Sequence, residues 1–194
     1  MVLEAKLEQI LETLAARLQT PFTAGTALLG GSCGLLLQGV RLAEPPKDID
    51  LYADTPDITA IYEQLLPFAC EPPALSETDR YRSVLSRFLI SGMNVELVGG
   101  FQVSTALGQY NVSISKLKEA CSTADVGGIR VGLMPLAHEL VFNLLRQRPD
   151  RYYSIAEKIR EEPQLHRPAL FTIIKDNSLS EKVIRQVNQL LLGS

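Results

Sequence analysis

Two short stretches eighteen positions apart constrain this chain most: Gly30-Gly31-Ser32 and Asp48-Ile49-Asp50. The first follows the apolar run Thr26–Leu29. It reads as a tight turn from a buried strand into a helix that ends near Gln38, with Ser32 as N-cap. The second opens a strand, Asp48–Ala53, in which polar and apolar residues alternate. Residues i and i+2 of a strand face the same way, so Asp48 and Asp50 project together while Ile49 and Leu51 enter a core. A later apolar run, Met93–Val98, carries Glu96 between Val95 and Leu97. It predicts a third carboxylate on an adjacent strand.

The chemistry of these residue types narrows the reading. Two neighbouring carboxylates repel unless a cation neutralises them. Hard oxygen ligands suit Mg²⁺ or Mn²⁺, and three acids can hold two such ions about 3.5–4 Å apart. Backbone that passes close to a phosphate cannot carry side chains, which gives Gly30 and Gly31 a reason. The helix after them offers N–H groups and a positive dipole end to an anion, and Ser32 adds a hydroxyl. The turn is not a P-loop, because no Gly-Lys-Ser/Thr closes it. Nor does Gly-Gly-Ser-Cys-Gly fit the dinucleotide fingerprint.

Composition sets the outer limits. The chain has 194 residues, 46% hydrophobic and 21% charged, with a net charge of −3. That is room for one domain, or one domain with a small helical appendage. No basic tract of five residues occurs, so an extended nucleic-acid footprint is not expected. Cys33, Cys70 and Cys121 are widely spaced and form no metal-ligand pattern with His138 or His166. An odd, low cysteine count fits a reducing, cytoplasmic setting. The N-terminus is acidic and amphipathic rather than leader-like. The most apolar stretch, Thr26–Val40, is too short to span a bilayer and is interrupted by glycines.

Periodicity lays out the rest. Leu3, Leu7, Ile10, Leu11, Leu14 and Leu18 fall at helical spacing over residues 3–18, and Thr20-Pro21 closes that helix. Asp57 caps a helix over 58–68. The segment 71–79, rich in proline, serine and acid, reads as a surface loop. Val84–Ile90 and Met93–Val98 pair as a hairpin through Ser91-Gly92. Val112–Ile114 and Ile129–Leu133 are further strands. Pro135 opens a helix to Arg146, and helices follow over about 153–161, 167–175 and 179–192. The expected fold is α+β: a short, mixed, mostly antiparallel sheet backed by helices. Residues 1–148 form the core and residues 149–194 a helical extension. His138 and His166 have no matched partner and read as packing or surface residues. Cys33 reads as a buried filler. Arg80, Arg82 and Arg87 alternate on the hairpin, where they could meet phosphates. Tyr110, Tyr152 and Tyr153 could stack on a base.

Gly-Gly-Ser, then Asp-x-Asp, then a later strand carboxylate resembles the DNA polymerase β-like nucleotidyltransferase superfamily. Over residues 22–100 the chain looks like its small bacterial members, the minimal nucleotidyltransferases and the antibiotic adenylyltransferases. The resemblance implies an enzyme of the EC 2.7.7 type that moves an NMP group from an NTP, with ATP as donor, to an unidentified acceptor hydroxyl. It also implies roles. Gly30, Gly31 and Ser32 would hold the nucleotide phosphates; Asp48, Asp50 and Glu96 would be catalytic and hold Mg²⁺ or Mn²⁺. The sequence departs from the family at two points: Glu96 stands where Asp is usual, and Asn143 where a helix Lys is often found. Arg146 or Arg148 could substitute for that cation; the dipole of the helix end accounts for both as well. These departures carry an alternative: a catalytically inactive nucleotide-binding or protein-interaction module of the same fold, paired with a protein partner as in toxin–antitoxin systems.

Overall fold

A computed structural model of the protein describes residues 4–192, so the expected helix start at Leu3 lies outside it. The chain opens with α1 (Ala5–Arg17) and α2 (Gln19–Ala24). Next come β1 (Ala27–Gly30), α3 (Gly31–Leu37), β2 (Asp48–Ala53) and α4 (Ile58–Leu65). Strands β3 (Ala69–Glu77), β4 (Tyr81–Ile90), β5 (Met93–Thr105) and β6 (Gly108–Asn111) precede a single turn, α5 (Ile114–Leu117). The hairpin β7 (Ser122–Val126) and β8 (Ile129–Leu133) leads into α6 (Leu136–Leu145). The chain then runs through α7 (Pro149–Glu161), α8 (Pro163–Asp176), β9 (Ser178–Leu179) and α9 (Glu181–Leu192).

The sheet order is β3-β4-β5-β2-β1-β8-β7, with β6 paired to β5 and β9 to β6. Only β1–β8 and β2–β5 are parallel pairs, which makes the sheet mixed and mostly antiparallel as expected. Strand alternation sorts the core into two layers. Ile49, Leu51, Val95 and Leu97 pack with α1 and α4, whereas Tyr52, Val98 and Phe101 pack with α6–α9. Asp48 and Asp50 share the Tyr52 face, so the helical side of the sheet is the side that carries the acids. Every residue of α6 is buried, and residues on both sides of position 148 contribute to one apolar cluster.

Several elements differ from the sequence expectation, each for a physical reason. The segment 71–79 is largely strand rather than loop. Proline is tolerated in β3 because it is an edge strand, and Pro72-Pro73 falls where the register with β4 shifts. Pro21 does not end a helix but sits in the first turn of α2, where no N–H is needed. Ser32 is not the N-cap: Gly30 takes that position and Ser32 lies in the first turn of α3. Val112–Ile114 is not a strand. Ile114 and Ser115 donate backbone N–H groups to the Asp54 carboxylate at 2.8 and 3.0 Å, which caps α5 instead. Helix α4 stops at Leu65 and tightens into a 3₁₀ turn over Leu66–Phe68. Helices α7 and α8 each begin about four residues early, at Pro149 and Pro163, because proline is favoured at a first helical position. The strand β7 was not expected at all.

Candidate functional site

The site grows out of one line across the sheet. Gly30 pairs with Asp50, Asp50 with Glu96, Glu96 with Arg87, and Arg87 with Glu71. These five register partners run from β1 to β3 through the middle of the sheet. Glu96 accepts from Arg87 Nε at 3.0 Å, and Glu71 accepts from Arg87 Nη1 at 2.6 Å. Among the described residues Asp50 has no such cationic partner. Burial, then the charges of Asp48, Glu139 and Glu96, push its carboxyl up to about 7.

The two glycines of the turn are each required by a side chain of β2. A Cβ at Gly30 would lie 2.6 Å from the Tyr52 ring, and one at Gly31 would lie 1.9 Å from Asp50 Oδ2. Gly31 also has φ +58°, a left-handed conformation that suits glycine. The close approach in the structure is therefore to Asp50, where the sequence suggested a phosphate. The Gly31 N–H, expected to be open to an anion, donates to Glu139 Oε1 at 2.8 Å.

Glu139 lies on α6, is 2% exposed, and was not singled out from the sequence. Burial raises its carboxyl above the ordinary range, opposed by the Gly31 N–H and by the charges of Arg146 and Arg151. Asn143 donates to the Glu139 carbonyl oxygen at 2.8 Å. Its amide also lies 3.5 Å from Glu139 Oε2. The signal available in the sequence was the one acid in a mainly apolar helix, since a charged residue is rarely buried without partners.

A cavity of about 390 Å³ faces this group. Gly31, Ser32, Asp48, Asp50, Glu96 and Glu139 line it, together with Arg146, Arg148 and Arg151. Tyr81, Phe101 and Phe142 form an aromatic wall, with the hydroxyls of Ser76, Thr78 and Ser83 beside it. Ser32 Oγ accepts from Arg151 Nη1 at 3.0 Å. Arg146 lies over the Phe142 ring at 4.7 Å, and Arg148 makes a two-pronged pair with Asp150 at 2.9 and 2.6 Å. A larger groove of about 730 Å³ runs between α1, the end of α3 and the loop at Pro45-Pro46. It lacks the carboxylate row, so size alone does not select the site.

The structure thus brings Gly30, Gly31, Ser32, Asp48, Asp50, Glu96, Arg146 and Arg148 to one region. It does not join the three acids at a point. Among the described residues no three His, Cys, Asp or Glu side chains stand as a ready metal cage, and Glu96 is turned to Arg87. Arg80 and Arg82 do not line the cavity, and neither do Tyr110, Tyr152 and Tyr153. Tyr110 is buried and shares a hydrogen bond of 2.8 Å with His138 Nδ1. Cys33 is a buried filler whose thiol is pushed up to about 12, by burial first and then by Asp50 and Asp48.

No protein-family model matches the chain, and no curated protein matches it in sequence. Solved structures do. A Thermotoga maritima protein described as a candidate nucleotidyltransferase superposes with a TM-score of 0.64 at 19% identity, over 83% of this chain and 97% of its own. ANT(2″)-Ia, solved with adenylyl-2″-tobramycin, gives 0.50 at 11% identity, over 87% of this chain and 98% of its own. The chain shares the α+β fold of these two structures. No helix among the described residues is long and apolar enough to cross a membrane.

Proposed function

We propose that the protein transfers a nucleoside monophosphate from a nucleoside triphosphate, with ATP as donor, to an acceptor hydroxyl. The observation that carries this reading is the row Gly30–Asp50–Glu96, with Asp48 beside it, next to a cavity that three arginines also line. Asp48, Asp50 and Glu96 would hold Mg²⁺ or Mn²⁺. The donor set fits: hard oxygens, and an Asp50 carboxylate whose surroundings penalise its charge until a cation arrives. Such ions, when bound, neutralise the attacking and leaving oxygens. The chain's own groups do the rest. Ser32 and Arg146 meet the phosphates, and the aromatic wall excludes water from the reacting centre. The acceptor oxygen bonds to the α-phosphorus as the bond to the β-phosphate oxygen breaks, and pyrophosphate leaves. The acceptor proton passes to a nearby carboxylate, for which Glu96 is the candidate. A cytoplasmic setting belongs to this reading.

Calorimetric titration of each of the four ribonucleoside triphosphates, with and without Mg²⁺, tests it. Wild type is expected to bind at least one only with Mg²⁺, and Asp48→Asn to lose that binding. Normal Mg²⁺-dependent binding by the variant would remove Asp48 from the site; no binding of any triphosphate would overturn the reading.

Two contacts favour a second reading. Arg87 holds Glu96, and Glu139 holds the Gly31 N–H. A module locked in this way would bind nucleotide or a protein partner without turnover. Release of pyrophosphate separates the two. Arg87→Ala addresses the lock directly. The Arg87 side chain is 45% exposed, so its loss is expected to change stability by under about 1 kcal/mol. Freed from its ion pair, Glu96 is expected to tighten Mn²⁺ binding several-fold, read by calorimetry. Unchanged affinity would exclude Glu96 as a ligand.

A further inference from the structure

Arg151 lies in α7, beyond the stretch that carries the family resemblance, yet its guanidinium reaches back 119 positions to Ser32 Oγ at 3.0 Å. Its nearest carboxylate, Asp150 at 4.0 Å, is already engaged by both prongs of Arg148. Arg146 stands near it on the aromatic wall, with no carboxylate at ion-pair distance among the described residues. The cavity therefore holds two cations whose charge the protein does not neutralise at hydrogen-bond distance. The same cavity is lined by acids: Asp50, whose carboxyl is raised by burial and then by charge, and Asp48, Glu139 and Glu96, which supply that charge. A ligand with a polyanionic end fits the first and leaves the second for cations. Asn143, where a lysine was sought, is turned to Glu139 and offers no charge.

We infer that Arg151, steadied by Ser32 and assisted by Arg146, binds the β- and γ-phosphates, the part of the donor that leaves as pyrophosphate. The inference rests on the proposed nucleotidyl transfer and extends it: the cation missing from α6 is supplied from α7. The helices after residue 148 then complete the site. A guanidinium suits this task, because its planar fork can donate to Ser32 and to phosphate oxygens at once. Arg151 is a binding and positioning residue, and no proton is routed through it.

The test is calorimetry with Mg²⁺-ATP, Mg²⁺-AMP and inorganic tripolyphosphate on wild type, Arg151→Gln, Arg151→Lys and Ser32→Ala. Arg151→Gln keeps a donor for Ser32 but removes the charge. It is expected to weaken ATP and tripolyphosphate at least tenfold and AMP less than threefold. Arg151→Lys keeps the charge but not the fork, so it should weaken ATP by a smaller factor than Arg151→Gln does. Ser32→Ala should weaken ATP by a smaller factor than Arg151→Gln does. If the Gln variant does not fold, as read by circular dichroism, Lys and Ser32→Ala decide: ATP binding lost in Lys, or unchanged in Ser32→Ala, overturns the inference. Wild-type ATP affinity in Arg151→Gln, or equal loss for ATP and AMP, also overturns it and leaves nucleotidyl transfer standing. Binding of tripolyphosphate but of no nucleoside triphosphate, lost in Arg151→Gln, upholds the anion site and overturns the transfer reading. Binding of neither overturns both.

Discussion

Asp50→Asn is expected to make the folded protein more stable at pH 8 while removing nucleotide transfer by three orders of magnitude or more. The sign follows from the carboxyl's raised position. Unfolded, Asp50 titrates near 3.8; folded, burial and the charges of Asp48, Glu139 and Glu96 hold it near 7. Between those values the folded chain keeps a proton that the unfolded chain has released. Stability contributed by this group is full below about pH 4 and is lost as pH rises through 7. The difference between variant and wild type should therefore grow from near zero at pH 4 to a plateau above pH 7. Its ceiling is about 4 kcal/mol, the free-energy equivalent of the shift. His138, driven down to about 3 by burial, gives the opposite slope, lost as pH falls below 6.5. It is present in both proteins and cancels in the difference. Urea titrations from pH 4 to 8 make the comparison. Parallel curves would mean that Asp50 is not held neutral by its surroundings.

Gly31→Ala is expected to cost about 2–4 kcal/mol, among the larger values for a single substitution. The left-handed backbone at φ +58° contributes about 1 kcal/mol of that. The remainder comes from a methyl group placed 1.9 Å from Asp50 Oδ2, which forces the carboxylate or the turn to move. Transfer should fall at least a hundredfold, because the displaced group is the central acid of the row. A double-mutant cycle with Asp50→Ala isolates the clash. In that background the methyl meets no carboxylate, and the cost of Gly31→Ala should shrink to the backbone strain. Additive losses would place the penalty in the turn alone.

Much of this arrangement is local and was legible. The Asp48–Ala53 alternation, the Ser91-Gly92 hairpin and the α6 repeat are short-range patterns, and the structure keeps all three. Glu96 also falls beside Asp50 as expected, because period two fixes a face and the parallel β2–β5 pairing fixes the row. The illegible parts depend on distant partners. Glu139 meets Gly31 across 108 positions and Arg151 meets Ser32 across 119. No spacing rule reaches so far. Asp54, just past β2, caps α5 from 60 positions away. Strand β3 was hidden for the opposite reason. Its residues are mostly exposed, so tertiary pairing at a sheet edge overrode a loop-like composition.

The place of β1 in the sheet has a consequence for how the protein is made. All four of its residues, Ala27–Gly30, are buried, and it lies between β2 and β8. The second of those neighbours contributes Leu133 opposite Leu29, more than a hundred positions later. During synthesis, then, β1 can find one partner early and must wait for the other. A nascent chain carries an apolar strand with one open edge while about a hundred further residues are made, the kind of surface that invites pairing with other chains. Arg151 emerges later still, so the cavity it lines is complete only after residue 151 has left the ribosome.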